Sequence, residues 1–353
     1  MFSRSSHCVQ EIKRGLGYLA FAVTVSFIAA APAAAYSEAQ FRAVTTENEA
    51  QINEIREQEI NQIKVVMGRR FSESRRPDIL LRLAELYIER YRFFFFKENE
   101  IHQAQLKSGL RPKRVDHTRS RAALKSAENA CLSILKSKVP FAKMDQVYYF
   151  LAYNAQELGK QNEALRYFET IVKRYPRSQY AAETYRNLGE AEFGKKNYKK
   201  SVQYYEKAVR YTELESYPRT LYKLAWSYFK TRDKTRALAA MKQVVARSQE
   251  DDKFIALKEE ALNDLVMFYA EAGRAKEAHE YFSQVKGGPE LYVKALNRLA
   301  TLYGTQGRHE MSLYINEELI RIYQDDRPDL VFEALGKNVE IYKKQGKTSK
   351  EQT

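Results

Sequence analysis

Cysteine, glycine and proline are scarce in this 353-residue chain, and each scarcity excludes a class of structure. With only two cysteines, Cys8 and Cys131, the fold is not a small scaffold held together by several disulfides. The chain has 14 glycines and 8 prolines, whereas sheet proteins with many tight turns use both freely. Its hydrophobic content of 44% is too high for a wholly disordered chain. We therefore predict an ordered, all-α protein stabilised by packing.

The first 35 residues have the order of an export signal. Basic residues precede an apolar stretch and a run of alanines: Arg4, Lys13 and Arg14, then Leu16 to Ala31, then Ala33 to Ala35. This order predicts a signal peptide over residues 1–35, cleaved near Ala35, and a periplasmic mature protein with outer-membrane association as a further option. An uncleaved anchor is the alternative, because residues 15–35 are about long enough to span a bilayer.

The mature chain is strongly basic. Removing residues 1–35 takes away three basic residues and one acidic residue, Glu11, and lowers the formal charge from +14 to +12. A positive charge of this size attracts acidic proteins, anionic envelope polymers or nucleic acid. Export from the cell makes nucleic acid the least favoured of these partners. Only Cys131 remains, so no internal disulfide is expected.

Motifs for catalysis and cofactor binding are lacking. The mature chain has no glycine-rich phosphate loop and no H-E-x-x-H zinc motif. Its four histidines are far apart and are expected to be ordinary surface groups: His102, His117, His279 and His309. Cys131 is either a nucleophile or a core residue, and its apolar setting favours the core. We predict a protein that is not an enzyme and has no cofactor or metal.

Residues 36–76 carry apolar residues at helical spacing among many Glu, Gln and Arg. They predict one long amphipathic helix. It is either a partner-binding or coiled-coil helix, or a cap laid against the structure that follows.

From Asp145 onward, the sequence resembles itself at a period near 34 residues. In the first unit the recurring large, small and aromatic positions hold Tyr148, Leu151, Ala152, Ala164, Phe168 and Pro176. Units begin near residues 145, 182, 218, 259 and 293, with a partial unit near 332. In the fifth unit Ser312 and Asn316 are unusually polar, which predicts a loosely packed second helix.

This pattern resembles the tetratricopeptide repeat (TPR). The resemblance implies an all-α solenoid in which helix pairs stack as a right-handed superhelix over residues 145–353, each pair covering the apolar face of its neighbour. Residues 77–140 resemble a divergent pair with a basic insertion at 106–121. The segment Tyr167 to Tyr185 is similar to exported, envelope-associated TPR proteins of Gram-negative bacteria. Such repeats are reused as scaffolds, so the resemblance does not specify a task.

The resemblance also implies a binding groove lined by the first helix of each pair. Matching positions hold Tyr149, Tyr153, Arg186, Glu190, Tyr222, Trp226, Phe229, Asn263, Met267 and Asn297. Aromatic and Arg side chains dominate binding at protein interfaces, so we expect a peptide or helix segment of another protein to dock here. For Tyr149 and Phe229, packing against the next repeat is an equal alternative.

A basic loop is the second candidate surface. Within residues 106–121 a single acid, Asp116, accompanies Lys107, Arg111, Lys113, Arg114, Arg119 and Arg121. The loop is either simply solvated or binds an anionic envelope polymer or lipid headgroups, which is our alternative to the scaffold function. The preceding aromatics, Phe93 to Phe96, lie on all sides of their segment, which implies contact with both the N-terminal helix and the repeats.

Overall fold

A computed structural model describes residues 38–69, 72–110, 114–213, 215–249, 252–286 and 288–346, so the predicted signal peptide lies outside the described residues. The chain divides into two units, Met1–Glu54 and Ile55–Thr353. The first unit contributes the beginning of helix α1 to the described residues, and the second contains all other elements.

The described residues contain fourteen α-helices and no strand, which confirms the predicted all-α fold. In chain order the helices are α1 Glu38–Met67, α2 Arg76–Lys107, α3 Thr118–Lys136, α4 Met144–Glu157, α5 Gln161–Arg174, α6 Ala181–Gly194, α7 Tyr198–Ala208, α8 Tyr217–Lys230, α9 Lys234–Ser248, α10 Ile255–Ala272, α11 Ala275–Gln284, α12 Gly288–Thr305, α13 His309–Tyr323 and α14 Pro328–Lys344. Short 3₁₀ turns at Glu73–Arg75 and Asp252–Phe254 precede α2 and α10. No helix within the described ranges combines the length and apolar character needed to cross a membrane.

Helices from α2 onward form successive pairs, and each helix contacts its neighbours along the chain. The even-numbered members α4 to α14 are the first helices of the units. Five units place a left-handed residue in the turn after the first helix; φ is positive at Gly159, Lys196, Arg232, Gly273 and Gly307. This turn ends the first helix in the same way in each unit and directs the chain into the second.

Small and large residues meet between the helices of a pair. A Cβ on Gly189 of α6 would lie 2.7 Å from Cε1 of Tyr205 in α7, and Tyr205 is completely buried. Close approach at this point therefore requires glycine. Cys131 is also completely buried, and burial raises the pKa of its thiol to about 12. The predicted core position of Cys131 is confirmed.

The N-terminal helix is shorter than predicted. α1 ends at Met67, where the Gly68 amide donates to the carbonyls of Lys64 and Val65, so the prediction of one helix over residues 36–76 is wrong. Ile60 of α1 is completely buried in a cluster with α2 residues. Ion pairs add to this contact: Arg56–Glu89, Arg90–Glu57 and Arg82–Glu59 at 3.2, 2.9 and 2.8 Å. For the part of α1 that lies within Ile55–Thr353, these contacts with α2 favour the cap over a free partner-binding helix.

The second helix of the fifth unit is firmly packed. Ser312 and Asn316 are both buried. The Ser312 hydroxyl donates to the Ala300 carbonyl at 2.8 Å, and the Asn316 amide donates to the Asn338 side-chain oxygen at 2.7 Å. The prediction of loose packing here is wrong, because this helix also buries Leu313, Ile315 and Leu319, and the Ser312 hydroxyl and the Asn316 amide nitrogen both have partners.

Candidate interaction surfaces

Polar side chains join adjacent first helices along one side of the stack. The Tyr149 hydroxyl of α4 donates to Glu183 of α6 at 2.6 Å, and Tyr222 of α8 donates to Asp264 of α10 at 2.7 Å. Arg298 of α12 donates to the Asn263 carbonyl of α10 at 3.4 Å. Lys337 of α14 reaches Asn297 of α12 at 3.3 Å. The residues proposed for the groove thus take part in contacts between neighbouring first helices.

Asp264 organises the aromatic part of this surface. Its carboxylate accepts hydrogen bonds from the Trp226 indole at 2.9 Å and from the Tyr222 hydroxyl. Burial, with the hydrogen bond to Asp264, raises the pKa of Tyr222. The Trp226 ring is half-buried and meets Phe268 edge-on at 5.3 Å. Trp226 is therefore held in one orientation while part of its ring remains accessible.

Two of the predicted groove residues are engaged in stacking inside the protein. Phe229 stacks on the buried Phe268, with ring centroids 4.3 Å apart. Tyr149 stacks on Tyr180 at the same distance. For both residues the contacts favour the packing alternative.

The remaining predicted groove residues differ in accessibility. Tyr153 is half-buried, with the Arg92 guanidinium 5.8 Å from its ring centroid. Arg186 and Glu190 are half-buried on α6, and Arg186 pairs with Glu183 at 3.3 Å. On α10 Met267 is half-buried and packs against the core, and Asn263 is exposed.

A cavity of about 230 Å³ opens beside Asn263, between α10, α11 and α12. Its apolar lining is Leu262, Val266, Phe282, Leu291 and Ala295. Its polar lining is Glu259, Asn263, Lys294 and Arg298, all four of them exposed. Small-molecule sites usually measure roughly 300–1,000 Å³, so this cavity suits one apolar side chain better than a whole small ligand. Of its lining, sequence reasoning found only Asn263. The sequence signal that could have revealed this site is the pair Lys294 and Arg298, which lie one helical turn apart.

The basic insertion is not one loop. α2 continues to Lys107 and α3 begins at Thr118, so Arg119 and Arg121 lie on a helix. The Arg119 guanidinium sits 4.0 Å over the Phe94 ring. Arg114 is exposed, and Arg111 and Lys113 lie outside the described residues. The prediction of a single basic loop over 106–121 is wrong, because the ends of this segment continue the flanking helices.

The aromatic run before the insertion is only partly covered. Phe94 is buried and Phe95 stacks on His117 with centroids 5.1 Å apart, but Phe96 is 63% exposed. At 63% exposure, Phe96 is not packed between the N-terminal helix and the repeats as predicted. At this end of α2, helix α3 does not cover the Phe96 side chain.

All four histidines in the described residues are half-buried, and two of them have side-chain partners. His117 lies 3.2 Å from Glu98, and His279 lies 2.8 Å from the Tyr292 hydroxyl. They are not the ordinary surface groups that we expected. In the part of the chain that the structure describes, no cluster of His, Cys, Asp or Glu is placed to hold a metal ion.

Comparison with known proteins gives matches to repeat families. Sequence models described as tetratricopeptide repeat match residues 143–214 and 219–249. Curated protein sequences yielded no match.

Solved structures similar to this chain include YrrB, described as a TPR protein with an unusual peptide-binding site. It is 21% identical over 54% of this chain and 91% of its own, with a TM-score of 0.35. The C-terminal part of a TPR repeat-containing protein from Cytophaga hutchinsonii is 15% identical over 84% of this chain and 92% of its own, with a TM-score of 0.38. Pseudomonas aeruginosa PilF is 14% identical over 71% and 96%, with a TM-score of 0.37.

Proposed function

Because this chain is a tetratricopeptide repeat protein, we propose that it is a non-catalytic scaffold that binds a segment of another protein along its first helices. The observation that carries the proposal is the surface formed by α8, α10 and α12. There α10 contributes to both features: its Asp264 fixes the Trp226 ring of α8, and its Asn263 lies beside the cavity. We call this surface, with Tyr222, Trp226, Asn263, Met267 and Asn297, the candidate groove.

The chemistry of the candidate groove suits a peptide with one or two apolar anchors. The cavity accepts an apolar side chain, and the exposed Glu259 and Arg298 at its mouth offer an acceptor and a donor to the peptide backbone. Trp226 supplies a rigid aromatic surface of the kind that contributes most to interface energies. A segment lying across α8 and α10 would contact both.

We further propose that this binding takes place in the periplasm and positions a partner within an envelope complex. The signal-peptide pattern of residues 1–35 supports the location. The mature chain would then begin at Tyr36.

A photo-cross-linking amino acid at Asn263, introduced into the protein in living cells, tests the proposal. Asn263 is exposed at the mouth of the cavity, so a bound segment should be captured there. The matched control carries the cross-linker at Gln203, which is exposed on second helix α7. We expect one protein to be captured from Asn263 and not from Gln203. The same mass spectra report the N-terminal residue of this chain, expected to be Tyr36.

Affinity for a synthetic peptide covering the captured segment then isolates the role of the groove. Trp226→Ala should weaken binding by about thirty-fold, or roughly 2 kcal/mol. Trp226→Phe preserves much of the ring packing on Phe268 and should weaken it less. Unchanged affinity in a folded Trp226→Ala protein, or equal capture from Gln203, would refute binding in the candidate groove.

A further inference from the structure

The end of α2 extends beyond the helix that pairs with it. The Glu98 carboxylate accepts hydrogen bonds from the amides of Arg119 and Ser120 at 2.9 and 3.1 Å, so α3 begins opposite Glu98. Residues 99–107 of α2 therefore continue past the start of α3, by about 14 Å at 1.5 Å per residue. We call residues 99–110 the α2 tip.

The tip ends in a defined turn. The Leu110 amide donates to the Gln105 carbonyl at 3.0 Å, and the Gly109 amide donates to Leu106 at 3.2 Å. With Gly109 at a φ of +84°, these bonds form a Schellman motif. An apolar residue after such a turn commonly packs on the helix, but here Leu110 stays 59% exposed and Leu106 43% exposed. The turn thus leaves both leucines exposed to solvent.

Exposed apolar residues surround the helix at this end. Phe96, just before the tip, is 63% exposed and Ile101 is 58% exposed. At about 100° per residue, Ile101 is rotated by roughly 140° from Phe96, and Leu106 by roughly 280°. A groove on another protein would cover one face only. Apolar side chains that point to different sides fit a fluid apolar layer, because burial in such a layer is non-directional.

Basic side chains accompany the apolar ones. Lys107 and Arg114 are exposed, and the helical Arg121 is exposed as well. Three acids lie nearby: Glu98 caps α3, Glu100 pairs with Lys97 at 2.9 Å, and Asp116 accepts hydrogen bonds from the amide and the hydroxyl of Thr118. Leucines beside exposed lysine and arginine are the combination that binds anionic lipid surfaces, through apolar insertion and attraction to the headgroups.

We propose that the α2 tip docks the protein on an anionic lipid bilayer, with Leu106 and Leu110 inserted among the lipids and Lys107 and Arg114 at the headgroups. This site is independent of the candidate groove. It would leave α8, α10 and α12 free to bind a protein segment while α2 contacts the membrane.

Vesicle flotation tests the proposal with a chain that starts at Tyr36. This chain retains every described residue and lacks the apolar stretch 16–31, which would itself bind lipid. We expect binding to vesicles containing phosphatidylglycerol, weaker binding to pure phosphatidylcholine, and weakening by salt. Leu106→Ser and Leu110→Ser should each lower the affinity by about tenfold. Lys107→Gln and Arg114→Gln should each lower it by about fivefold.

Phe332→Ser provides a matched control. Phe332 on α14 is 74% exposed, more than any apolar residue of the tip, and its replacement should leave vesicle binding unchanged. An environment-sensitive fluorophore on a cysteine at Ser108 should shift to shorter wavelength with anionic vesicles, and one at Gln203 should not. The native Cys131 is buried and will not react.

Three outcomes would overturn the proposal. The first is no binding to anionic vesicles. The second is loss of binding with the Lys107 and Arg114 variants but not with the leucine variants, which indicates a purely anionic ligand such as a polymer. The third is an equal loss with Phe332→Ser, which indicates non-specific adhesion of apolar side chains.

Discussion

Gly189 makes the tightest glycine contact among the described residues, and a single methyl group tests it. Alanine in a helix is normally more favourable than glycine by roughly 1 kcal/mol. At Gly189, however, the new methyl would meet the buried Tyr205 ring at 2.7 Å. We expect Gly189→Ala to lower the free energy of unfolding by about 1–3 kcal/mol, because the ring cannot move away in a packed core. Urea unfolding followed by circular dichroism measures this change.

Gly336 provides the matched control, since it also lies inside a first helix. Apart from its chain neighbours and the backbone of its own helix, no atom lies within 4 Å of a Cβ built at Gly336. Gly336→Ala should therefore raise the free energy of unfolding by about 0.5–1 kcal/mol. Changes of the same sign at both sites would contradict a tight contact between α6 and α7.

Residue types at helix contacts were predictable from the sequence, but their polar partners were not. The repeat pattern predicts buried Leu151 and Cys131, because each unit reuses the same positions. It gives no sign that the Trp226 indole donates to Asp264, 38 residues later. That contact depends on how two first helices align, which a single-unit pattern does not contain.

At the scale of helices, a buried amide pair joins α13 to α14. Asn338→Ala would leave the Asn316 amide buried without its partner, which costs about 1–3 kcal/mol. Replacing both residues by leucine removes both polar groups and should be close to neutral. Hydrogen exchange of α14 amides measures both effects. Equal loss of protection in the single and double variants would show that the hydrogen bond does not hold α14 in place.

Helix starts followed the sequence pattern only approximately. The six first helices begin one to five residues before the predicted units, at Met144, Ala181, Tyr217, Ile255, Gly288 and Pro328. The offset is largest from α10 onward, where a 3₁₀ turn or a proline in the first turn begins the helix early. The basic insertion was misjudged for a related reason. Its many charges indicated a loop, but charged residues are good helix formers and extended α2 to Lys107.

At the scale of the whole second part of the chain, Ile55–Thr353, the core is divided unevenly. One apolar cluster runs from Val202 of α7 to Leu330 of α14, whereas α2 to α6 are held by several smaller clusters. In repeat arrays each pair contacts mainly its neighbours, so regions can unfold separately. Leu151 and Leu265 test this division, because both are buried at matching first-helix positions in different clusters.

We expect Leu265→Ala to lower hydrogen-exchange protection in α7 to α14 by about 2–5 kcal/mol and to leave α2 to α4 nearly unchanged, because the cavity lies in the large cluster. Leu151→Ala should have the opposite pattern. Exchange measured by mass spectrometry at low urea resolves the two regions. A uniform loss of protection from either substitution would mean that the clusters unfold together, and that contacts between α6 and α7 couple them into one cooperative unit.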